Sequence, residues 1–482
     1  MVINMGCFKI GLMGTSQLSF PGDAPKVFEY SAGELAKLSK DLKFELFVYP
    51  QTVVTRDDAV RAVSAMETEK VDLLVSQATT FSAGEIAPVL ARARGMALGI
   101  WAVPEGASAG AVPLNSLCGL NMYKSIIDRY MKDYKTKAKW FYGDAGSGPF
   151  ARRLAVTVRA LKALKRVRGA RVGLVGGIAP GFDDLYEDER KLLKLFDGLY
   201  INRLHEYSEI KDLAMSFSDG EVRGIAQGIL DSARGAHREA DRHVLLSARF
   251  LKAYMRFIEE NRYDAIAISC WPKFQTDFKY SVCGVVGGLN DAGIPTACEG
   301  DVLSAVCMLA LKHIAEDETM LMDLSAFDEN DDTVLLWHCG PAPERFCRAN
   351  GYTLGLNYSS LPQVKGGAPV GCGIARDMVF DPGRATVMRI TGDCDRYLLM
   401  EGEFLENNKE SFFGSRGWFG GLSLNGEPVK ALDLINTVLV NGFQHHYPVV
   451  PGPYSCEVKE FFAWLGLPPI QRRPYEDCLQ IV

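Results

Sequence analysis

The chain has 482 residues, of which 48% are hydrophobic and 23% charged, and its formal net charge is −6. This length exceeds what one hydrophobic core supports and predicts two to four domains of an ordinary globular protein. The negative charge, without a Lys/Arg stripe interleaved with aromatic residues, argues against a nucleic-acid partner. No segment approaches the ~20 uninterrupted apolar residues of a membrane span, and the N-terminus lacks the pattern of a signal peptide. We therefore expect a cytoplasmic protein with no membrane partner.

The twelve cysteines contain no CxxC pair, and several lie in apolar runs. This pattern favours buried thiols in a reducing compartment over a disulfide framework or a zinc ribbon. The adjacent pair His338-Cys339 leaves a nucleophilic cysteine open as a less favoured alternative.

Residues 1–170 are predicted to form an N-terminal α/β domain. Near-continuous apolar strands separated by amphipathic helices indicate a parallel sheet covered on both faces. The predicted elements are strand 8–13, helix 34–42, strand 45–49, helix 57–69, strand 71–76 and strand 97–101.

The same pattern restarts after a basic helix over 151–168, and residues 171–338 are predicted to form a second α/β domain. Its predicted elements are strand 171–175, strand 198–201, helix 237–261, strand 263–269 and helix 302–314, followed by apolar runs at 320–323 and 333–337. His313 lies in the last of these helices beside Lys312, and we expect it to face solvent.

Residues 339–482 differ in character, because glycine and proline interrupt short segments in which apolar and polar residues alternate. Alternation at 385–391 and 397–404 is typical of antiparallel strands, and helices are predicted at 431–441 and 457–465. The predicted fold class is therefore α/β, with two doubly wound parallel-sheet domains followed by a mostly antiparallel β C-terminal domain with appended helices.

Three residues of metal-ligand type each end an apolar run between positions 296 and 338. Glu299 follows a predicted strand, Asp323 closes a short apolar run, and His338 closes another. Ligands of open α/β sheets collect at the carboxyl ends of strands, and two carboxylates with an imidazole suit a divalent cation. Alternatively, each is a loop carboxylate or a core histidine with satisfied hydrogen bonds. We favour the metal site because all three occur so close together.

A fourth ligand is expected from the pair His445-His446. Adjacent histidines on a loop do not easily chelate one ion together. One of the two is therefore predicted to bind metal, and its neighbour to contact either the substrate or the residues that support the metal ligands.

These motifs resemble the L-fucose/L-arabinose isomerase superfamily over essentially the whole chain. The resemblance rests on the Glu299-Gly-Asp301 turn, on Asp323 about two dozen residues later, on His338, and on the late His-His pair. It implies two α/β domains before a β-rich domain, and it implies aldose–ketose isomerisation with Glu299 and Asp323 as catalytic metal ligands. It also implies that His446, the second histidine of the pair, is a ligand, with His338 added as in the arabinose branch.

The resemblance further implies a homo-oligomer, a trimer or hexamer, in which a neighbouring subunit completes the active site. Segment 112–121 resembles the substrate-side loop of the family's N-terminal domain and makes Asn115 a candidate substrate contact. The chemistry agrees with the ligand set: moving a proton between C2 and C1 needs an acid/base carboxylate, and a divalent ion polarises the substrate oxygens. Mn²⁺ suits such a mixed O/N site, with Co²⁺ or Mg²⁺ as alternatives.

The substrate is predicted to be a deoxy or modified sugar. Aromatic faces stack on sugar C–H surfaces, while amides and amines bind hydroxyls or an anionic group. A cationic pocket would favour an anionic sugar such as sulfoquinovose. The further candidate contacts are His445, Trp271, Lys273, Gln275, Arg416 and Trp418.

Two other functions remain open on the sequence. A non-catalytic sugar-binding protein would share the plan of two doubly wound domains around a cleft. A metal-dependent aldolase or hydrolase would use the same ligands for a different reaction.

Overall fold

The computed structural model describes residues 7–134, 137–236, 243–357, 372–406 and 409–480. The described residues up to Leu161 form one compact unit, and those from Lys162 onward form a second. The predicted domain boundaries at 170 and 338 stay predictions. Within the described ranges, no helix is long and apolar enough to cross a membrane.

The N-terminal unit is built on a five-stranded parallel sheet of order β2-β1-β3-β4-β5. Helix α5 starts in this unit and ends beyond its boundary. The elements are β1 (Lys9–Thr15), α1 (Ala24–Asp41), β2 (Glu45–Val48), α2 (Arg56–Thr68), β3 (Leu73–Ala78), α3 (Ala87–Ala91), β4 (Ala97–Ala102), α4 (Ser116–Tyr130), β5 (Ala138–Tyr142) and α5 (Gly148–Arg168).

Helix α1 begins ten residues before the position predicted from its apolar spacing. The Asp23 carboxylate accepts the Lys26 N–H at 3.1 Å, and Pro25 occupies the first turn. A capping carboxylate and a proline are typical signals of a helix start, and here they precede the amphipathic stretch.

The second unit contains a four-stranded parallel sheet of order β10-β9-β6-β7. The predicted helix over 237–261 lies partly outside the described residues, and its described part starts at Val244. The elements are β6 (Arg171–Val175), α6 (Glu189–Leu195), β7 (Tyr200–His205), α7 (Tyr207–Ser216), α8 (Asp219–Ser232), β8 (Gly235–Ala236), α9 (Val244–Asn261), β9 (Ala265–Ile268), α10 (Lys273–Phe278), α11 (Cys283–Asp291), β10 (Thr296–Ala297) and α12 (Val302–Ala315).

The same unit continues into a mostly antiparallel sheet. Its elements are β11 (Met320–Asp328), β12 (Thr333–His338), β13 (Thr353–Asn357), β14 (Cys372–Val379), β15 (Gly383–Ile390), β16 (Tyr397–Phe404), β17 (Ser415–Leu424), β18 (Glu427–Pro428), α13 (Ala431–Val440), β19 (His446–Pro451) and α14 (Ser455–Leu465).

Six of these strands pair in the order β12-β11-β19-β15-β16-β17, and β17 pairs again with β12. Because this last pairing joins the two ends of the row, the six strands close into a barrel. Every neighbouring pair in the barrel is antiparallel. Closure removes the exposed edges that an open sheet would present. The predicted fold class, two parallel α/β sheets followed by an antiparallel β-rich part, is confirmed.

Candidate active site

Glu299 lies in a tight turn between β10 and α12. Its φ is 61°, and Gly300 follows with φ 79°. A Cβ at Gly300 would lie 2.3 Å from the carbonyl oxygen of Gly177, in the loop after β6. The Glu299 carbonyl accepts the Ala179 N–H at 2.9 Å. Glycine is thus required at position 300, because the backbone there is left-handed and lies against the loop after β6. The turn holds the Glu299 side chain at the edge of the sheet.

Asp301 starts helix α12 and also orients His446. One carboxylate oxygen accepts the Ser304 N–H at 2.8 Å, which is the predicted helix cap. The other oxygen lies 3.0 Å from His446 Nδ1 and 3.0 Å from Arg389 Nη1. Asp301, Arg389 and His446 are all fully buried. This contact keeps the proton of a neutral His446 on Nδ1 and leaves the Nε2 lone pair available as a ligand.

His446 Nε2 faces the two predicted catalytic carboxylates. It lies 3.3 Å from Glu299 Oε2 and 3.8 Å from Asp323 Oδ1. Asp323 and His446 are directly opposed in the antiparallel β11–β19 pair. Asp323 closes the apolar run at the start of β11, and the strand itself continues to Asp328. The strand register therefore brings Asp323 to His446.

His338 ends β12, and its ring stacks on that of His446 at 5.6 Å. Its Nδ1 accepts the Cys339 N–H at 2.8 Å. A neutral His338 in this arrangement carries its proton on Nε2, which is then a hydrogen-bond donor rather than a metal ligand. Ligation through Nε2 would require the proton to move to Nδ1 and that backbone hydrogen bond to break.

His445 is the more exposed member of the histidine pair. Its side chain is 36% exposed, whereas that of His446 is 0% exposed. Its Nδ1 lies 2.7 Å from Asp184 Oδ2, and its Nε2 lies 3.2 Å from Glu299 Oε2. His445 is therefore placed at the rim of the cluster, between a surface carboxylate and Glu299.

The cluster favours ionised carboxylates beside histidines. Burial acts to raise the pKa of Glu299, but its contacts with His445 and His446 outweigh burial and hold that pKa well below its usual value. Burial likewise opposes protonation of His446, yet its contacts with the carboxylates of Asp301 and Glu299 raise its pKa to about 10. Two ionised carboxylates thus face His446 Nε2, and a metal cation bound there would take the place of the proton on that nitrogen.

The residues present fit a divalent metal. Within the described residues, Glu299, His338 and His446 each offer a ligand atom within 4.8 Å of the others, and so do Asp323, His445 and His446. In the same described ranges, Asp323 Oδ1, His338 Nε2 and His446 Nε2 are buried atoms without a hydrogen-bond partner. Buried polar atoms are normally satisfied, so converging unpaired ones indicate a missing ligand. A mixed set of carboxylate oxygen and imidazole nitrogen suits Mn²⁺, Co²⁺ or Mg²⁺ better than structural zinc.

Glu299 also lines a cavity of about 620 Å³. Trp271 and Gln275, two predicted substrate contacts, lie in its wall, and Gln275 Oε1 is buried without a hydrogen-bond partner among the described residues. The other described lining residues are Pro180, Gly181, Phe182, Cys270, Pro272, Thr276, Lys279, Ser281, Cys283, Cys339 and Asn357.

The structure does not bring every predicted substrate contact to this cavity. The Lys273 ammonium lies 3.8 Å from Glu206 and over the Tyr207 ring, so Lys273 is not in the described lining. Lys273 is the first residue of α10, and its role as a substrate contact stays a prediction. The lining cation is Lys279, which follows the same helix with φ 52°.

Arg416, Trp418 and Asn115 are also outside the described lining of this cavity. The Arg416 guanidinium bonds to Asp377, and Trp418 packs under the Lys409 ammonium at 3.8 Å from its ring centroid. Asn115 belongs to the N-terminal unit and begins α4 with φ 54°. The roles assigned to these residues stay predictions.

Sequence reasoning missed several residues that support the site: Asp184, Lys279, Cys283, Asn357 and Arg389. Arg389 sits in an alternating strand pattern, where a fully buried arginine is unexpected and itself signals a buried carboxylate partner. The others lie on separate elements and loops, and nothing in their spacing places them near Glu299.

Several proteins of known function are similar to this chain in sequence. A sulfoquinovose isomerase from Priestia aryabhattai is 24% identical over 426 residues, covering 87% of this chain and 90% of that protein. The sulfoquinovose isomerase from Alkalicoccus urumqiensis is 24% identical and covers 88% of this chain and 91% of that protein. The one from Clostridium sp. (strain MSTE9) is 25% identical and covers 80% of this chain and 83% of that protein. The chain resembles sulfoquinovose isomerases. This confirms the predicted likeness to a modified-sugar isomerase, while membership of the wider L-fucose/L-arabinose superfamily stays a prediction.

No family model matches the chain. Among solved structures, a solute-binding protein from Agrobacterium vitis bound with alpha-D-tagatopyranose gives a TM-score of 0.17 at 11% identity, covering 64% of this chain and 90% of that chain. GanP, a glucose-galactose binding protein from Geobacillus stearothermophilus, gives 0.18 at 13% identity, covering 65% of this chain and 93% of that chain. Similarity this low supports no conclusion about fold or function.

Proposed function

We propose that this chain is a metal-dependent aldose–ketose isomerase acting on sulfoquinovose or a closely similar anionic aldose. The observation that supports it most is the buried His446, whose Nδ1 contacts Asp301 and whose Nε2 faces Glu299 and Asp323 at 3.3 and 3.8 Å. The similarity to sulfoquinovose isomerases over most of both chains supports the same reaction class.

Glu299, Asp323 and His446 are the proposed metal ligands, and Mn²⁺ is the proposed ion. When bound, it would polarise the substrate carbonyl and stabilise negative charge on the substrate oxygens. His338 Nε2, adjacent to the same cluster, is assigned as a hydrogen-bond donor to a substrate oxygen in the tautomer that the Cys339 N–H selects.

The proton transfer itself falls to the carboxylates. Glu299 is ionised and lines the cavity, so it can accept the C2 proton of the aldose and return it to C1 of the resulting cis-enediol. Asp323, on the other side of His446 Nε2, can assist proton movement between the O1 and O2 hydroxyls. His445 holds Glu299 in position through its Nε2.

Substrate recognition is assigned to the cavity wall. Trp271 presents an aromatic face for the sugar ring, and the unpaired Gln275 carbonyl oxygen can accept a hydroxyl. Among the described lining residues Lys279 is the one with a cationic side chain, and it forms no ion pair within the described ranges. An ammonium in this position favours a substrate that carries a sulfonate over a neutral sugar.

The proposed trimer or hexamer has support only from the family resemblance. Size-exclusion chromatography with light scattering tests it, and a monomer would contradict it.

The reaction class is tested by following sulfoquinovose in D₂O by proton NMR, with Mn²⁺ added. An isomerase gives the ketose. The proton from C2 of the aldose is then either transferred to C1 or exchanged for deuterium from the solvent. Fragments would instead indicate an aldolase or hydrolase. Binding without conversion would indicate a sugar-binding protein, and either result would contradict the proposal.

A further inference from the structure

Two thiols touch each other in the wall of the cavity that holds Glu299. Cys283 is the first residue of α11, and Cys339 follows β12. Their Sγ atoms are 3.2 Å apart. Both residues line the cavity, so a small solute that reaches Glu299 also reaches them. The metal site and the proposed proton transfer use neither thiol.

The surroundings of Cys283 suit a thiolate. The Asn357 Nδ2 amide donates to Cys283 Sγ at 3.1 Å, and the Ser281 hydroxyl lies 3.1 Å from it. With Cys339 Sγ also in contact, three hydrogen-bonding groups surround the Cys283 sulfur and can stabilise its negative charge. A stabilised thiolate with a second sulfur in contact has the arrangement of an attacking cysteine and its resolving partner.

We propose that Cys283 and Cys339 form an oxidation site that hydroperoxides convert to an intramolecular disulfide. The Cys283 thiolate attacks one peroxide oxygen of H₂O₂, the O–O bond breaks, and water leaves after the departing oxygen is protonated. The Cys339 sulfur then attacks the resulting sulfenic acid, the S–O bond breaks, and a second water leaves with the Cys339 proton. Two thiols are thus oxidised by two electrons, and one peroxide is reduced to two waters.

Disulfide formation would alter the neighbouring active site. Bonding shortens the distance between the two sulfurs to about 2.05 Å, which moves Cys339 toward Cys283. Cys339 Sγ now lies 3.2 Å from His338 Nδ1, and the Cys339 N–H bonds to the same atom. We therefore expect oxidation to lower activity reversibly. This activity readout rests on the proposed function, whereas detection of the bond itself does not.

The test treats the full-length reduced protein with H₂O₂, blocks remaining thiols with N-ethylmaleimide, and digests it without reductant for mass spectrometry. The expected product is a peptide pair joined through Cys283 and Cys339 that disappears on dithiothreitol treatment. Cys456→Ser, at an exposed cysteine outside the cavity, should leave this product unchanged, whereas Cys283→Ser should abolish it.

The proposal is overturned if both thiols of the treated protein are recovered alkylated, or if Cys339 is joined instead to Cys270 or Cys298. It is also overturned if Cys283 is recovered only as sulfinic acid. If the cross-link forms but sulfoquinovose is not isomerised even by the reduced protein, the oxidation site stands and the proposed function fails.

Discussion

His446 is held from behind by a carboxylate that is itself held by a buried arginine. Asp301 contacts His446 Nδ1 and Arg389 Nη1 at 3.0 Å each, and Arg389 Nη1 also donates to the His446 carbonyl at 2.8 Å. Backbone and ring of His446 are thus fixed by one arginine–aspartate pair. Orientation of this kind lowers the entropic cost of metal binding and sets the tautomer of the ligand.

The first prediction concerns this support. Asp301→Asn should weaken Mn²⁺ binding roughly 10- to 100-fold, because the ring loses the carboxylate that orients it. Asp184→Asn, which removes the analogous partner of the exposed His445, is the matched control and should change affinity little. Isothermal titration calorimetry on folded protein, verified by circular dichroism, measures both. Equal affinities for the two variants would contradict the role given to Asp301.

The second prediction concerns the sign of charge in the cavity. Lys279→Met should raise KM for sulfoquinovose roughly 10-fold or more, the value of one charge-assisted hydrogen bond, with a smaller effect on kcat. Lys273→Met is the matched control, because Lys273 is paired with Glu206 outside the described lining. Steady-state kinetics that show an equal KM change in both variants would remove Lys279 from substrate recognition.

The sequence identified several side chains that the structure brings together, but not the residues around them. Glu299, Asp323 and the His-His pair were chosen because residues of metal-ligand type stand out in the sequence, and their role as ligands stays a prediction. Lys273 rather than Lys279 was chosen as the cation of the cavity. Which lysine near this six-residue helix reaches the cavity depends on packing, which the sequence does not show. Arg389 was missed because its partner is far away in sequence.

At the scale of elements, the turn from β10 to α12 joins the parallel sheet to the metal cluster. Glu299 and Gly300 both adopt positive φ, and Asp301 then caps α12. In the proposed metal site, three consecutive residues would therefore serve as ligand, spacer and support for the His446 ligand. The spacer must be glycine because the Gly177 carbonyl leaves no room for a Cβ.

The third prediction tests this turn with two glycines of nearly equal φ. Gly300→Ala adds a Cβ 2.3 Å from the Gly177 oxygen, whereas Gly177→Ala, at φ 80°, meets nothing within 4 Å. Both substitutions strain the left-handed backbone, but only Gly300→Ala adds a steric clash. Gly300→Ala should therefore lower the free energy of unfolding by roughly 1–3 kcal/mol more than Gly177→Ala does. Urea denaturation measures the difference. Equal losses would show that the turn relaxes without strain.

The strands of the parallel sheets were largely predictable, because buried parallel strands are continuous apolar runs. The closed barrel was not, since closure depends on β17 pairing both with β16, the strand before it, and with β12, which lies much earlier in the chain. Sequence alternation identifies a strand and its buried face but not its neighbours. The pairing of Asp323 with His446 across β11 and β19 was unpredictable for the same reason.

At the scale of the whole molecule, the unit from Lys162 onward contains both the parallel sheet and the barrel, and α12 packs against both. His313 on α12 was expected to face solvent, and this was wrong. It is only partly exposed, and desolvation together with the positive charges of Lys312 and Arg166 lowers its pKa to about 4. A residue expected on the solvated face thus lies partly within the packing of the unit.

The fourth prediction follows from this shift. Because the folded-state pKa lies below the unfolded value of about 6.5, the unfolded state binds the proton first as the pH falls. Stability contributed by neutral His313 is fully present above pH 6.5 and is lost between pH 6.5 and about 4, by on the order of 2–3 kcal/mol. Urea denaturation across this range should show a shallower loss for His313→Gln than for the unsubstituted protein. If the free energies of unfolding of the two proteins fell in parallel over this pH range, the lowered pKa of His313 would be contradicted.

The most direct test of the central claim is sulfoquinovose isomerisation by chelated protein, measured before and after Mn²⁺ is restored, with Glu299→Gln alongside. We predict negligible turnover after chelation and recovery with Mn²⁺. Glu299→Gln should turn over at least about 100-fold more slowly at saturating Mn²⁺, since it cannot accept the C2 proton. Undiminished turnover by chelated protein, or near-normal turnover by Glu299→Gln, would contradict a metal-dependent isomerase centred on Glu299, Asp323 and His446.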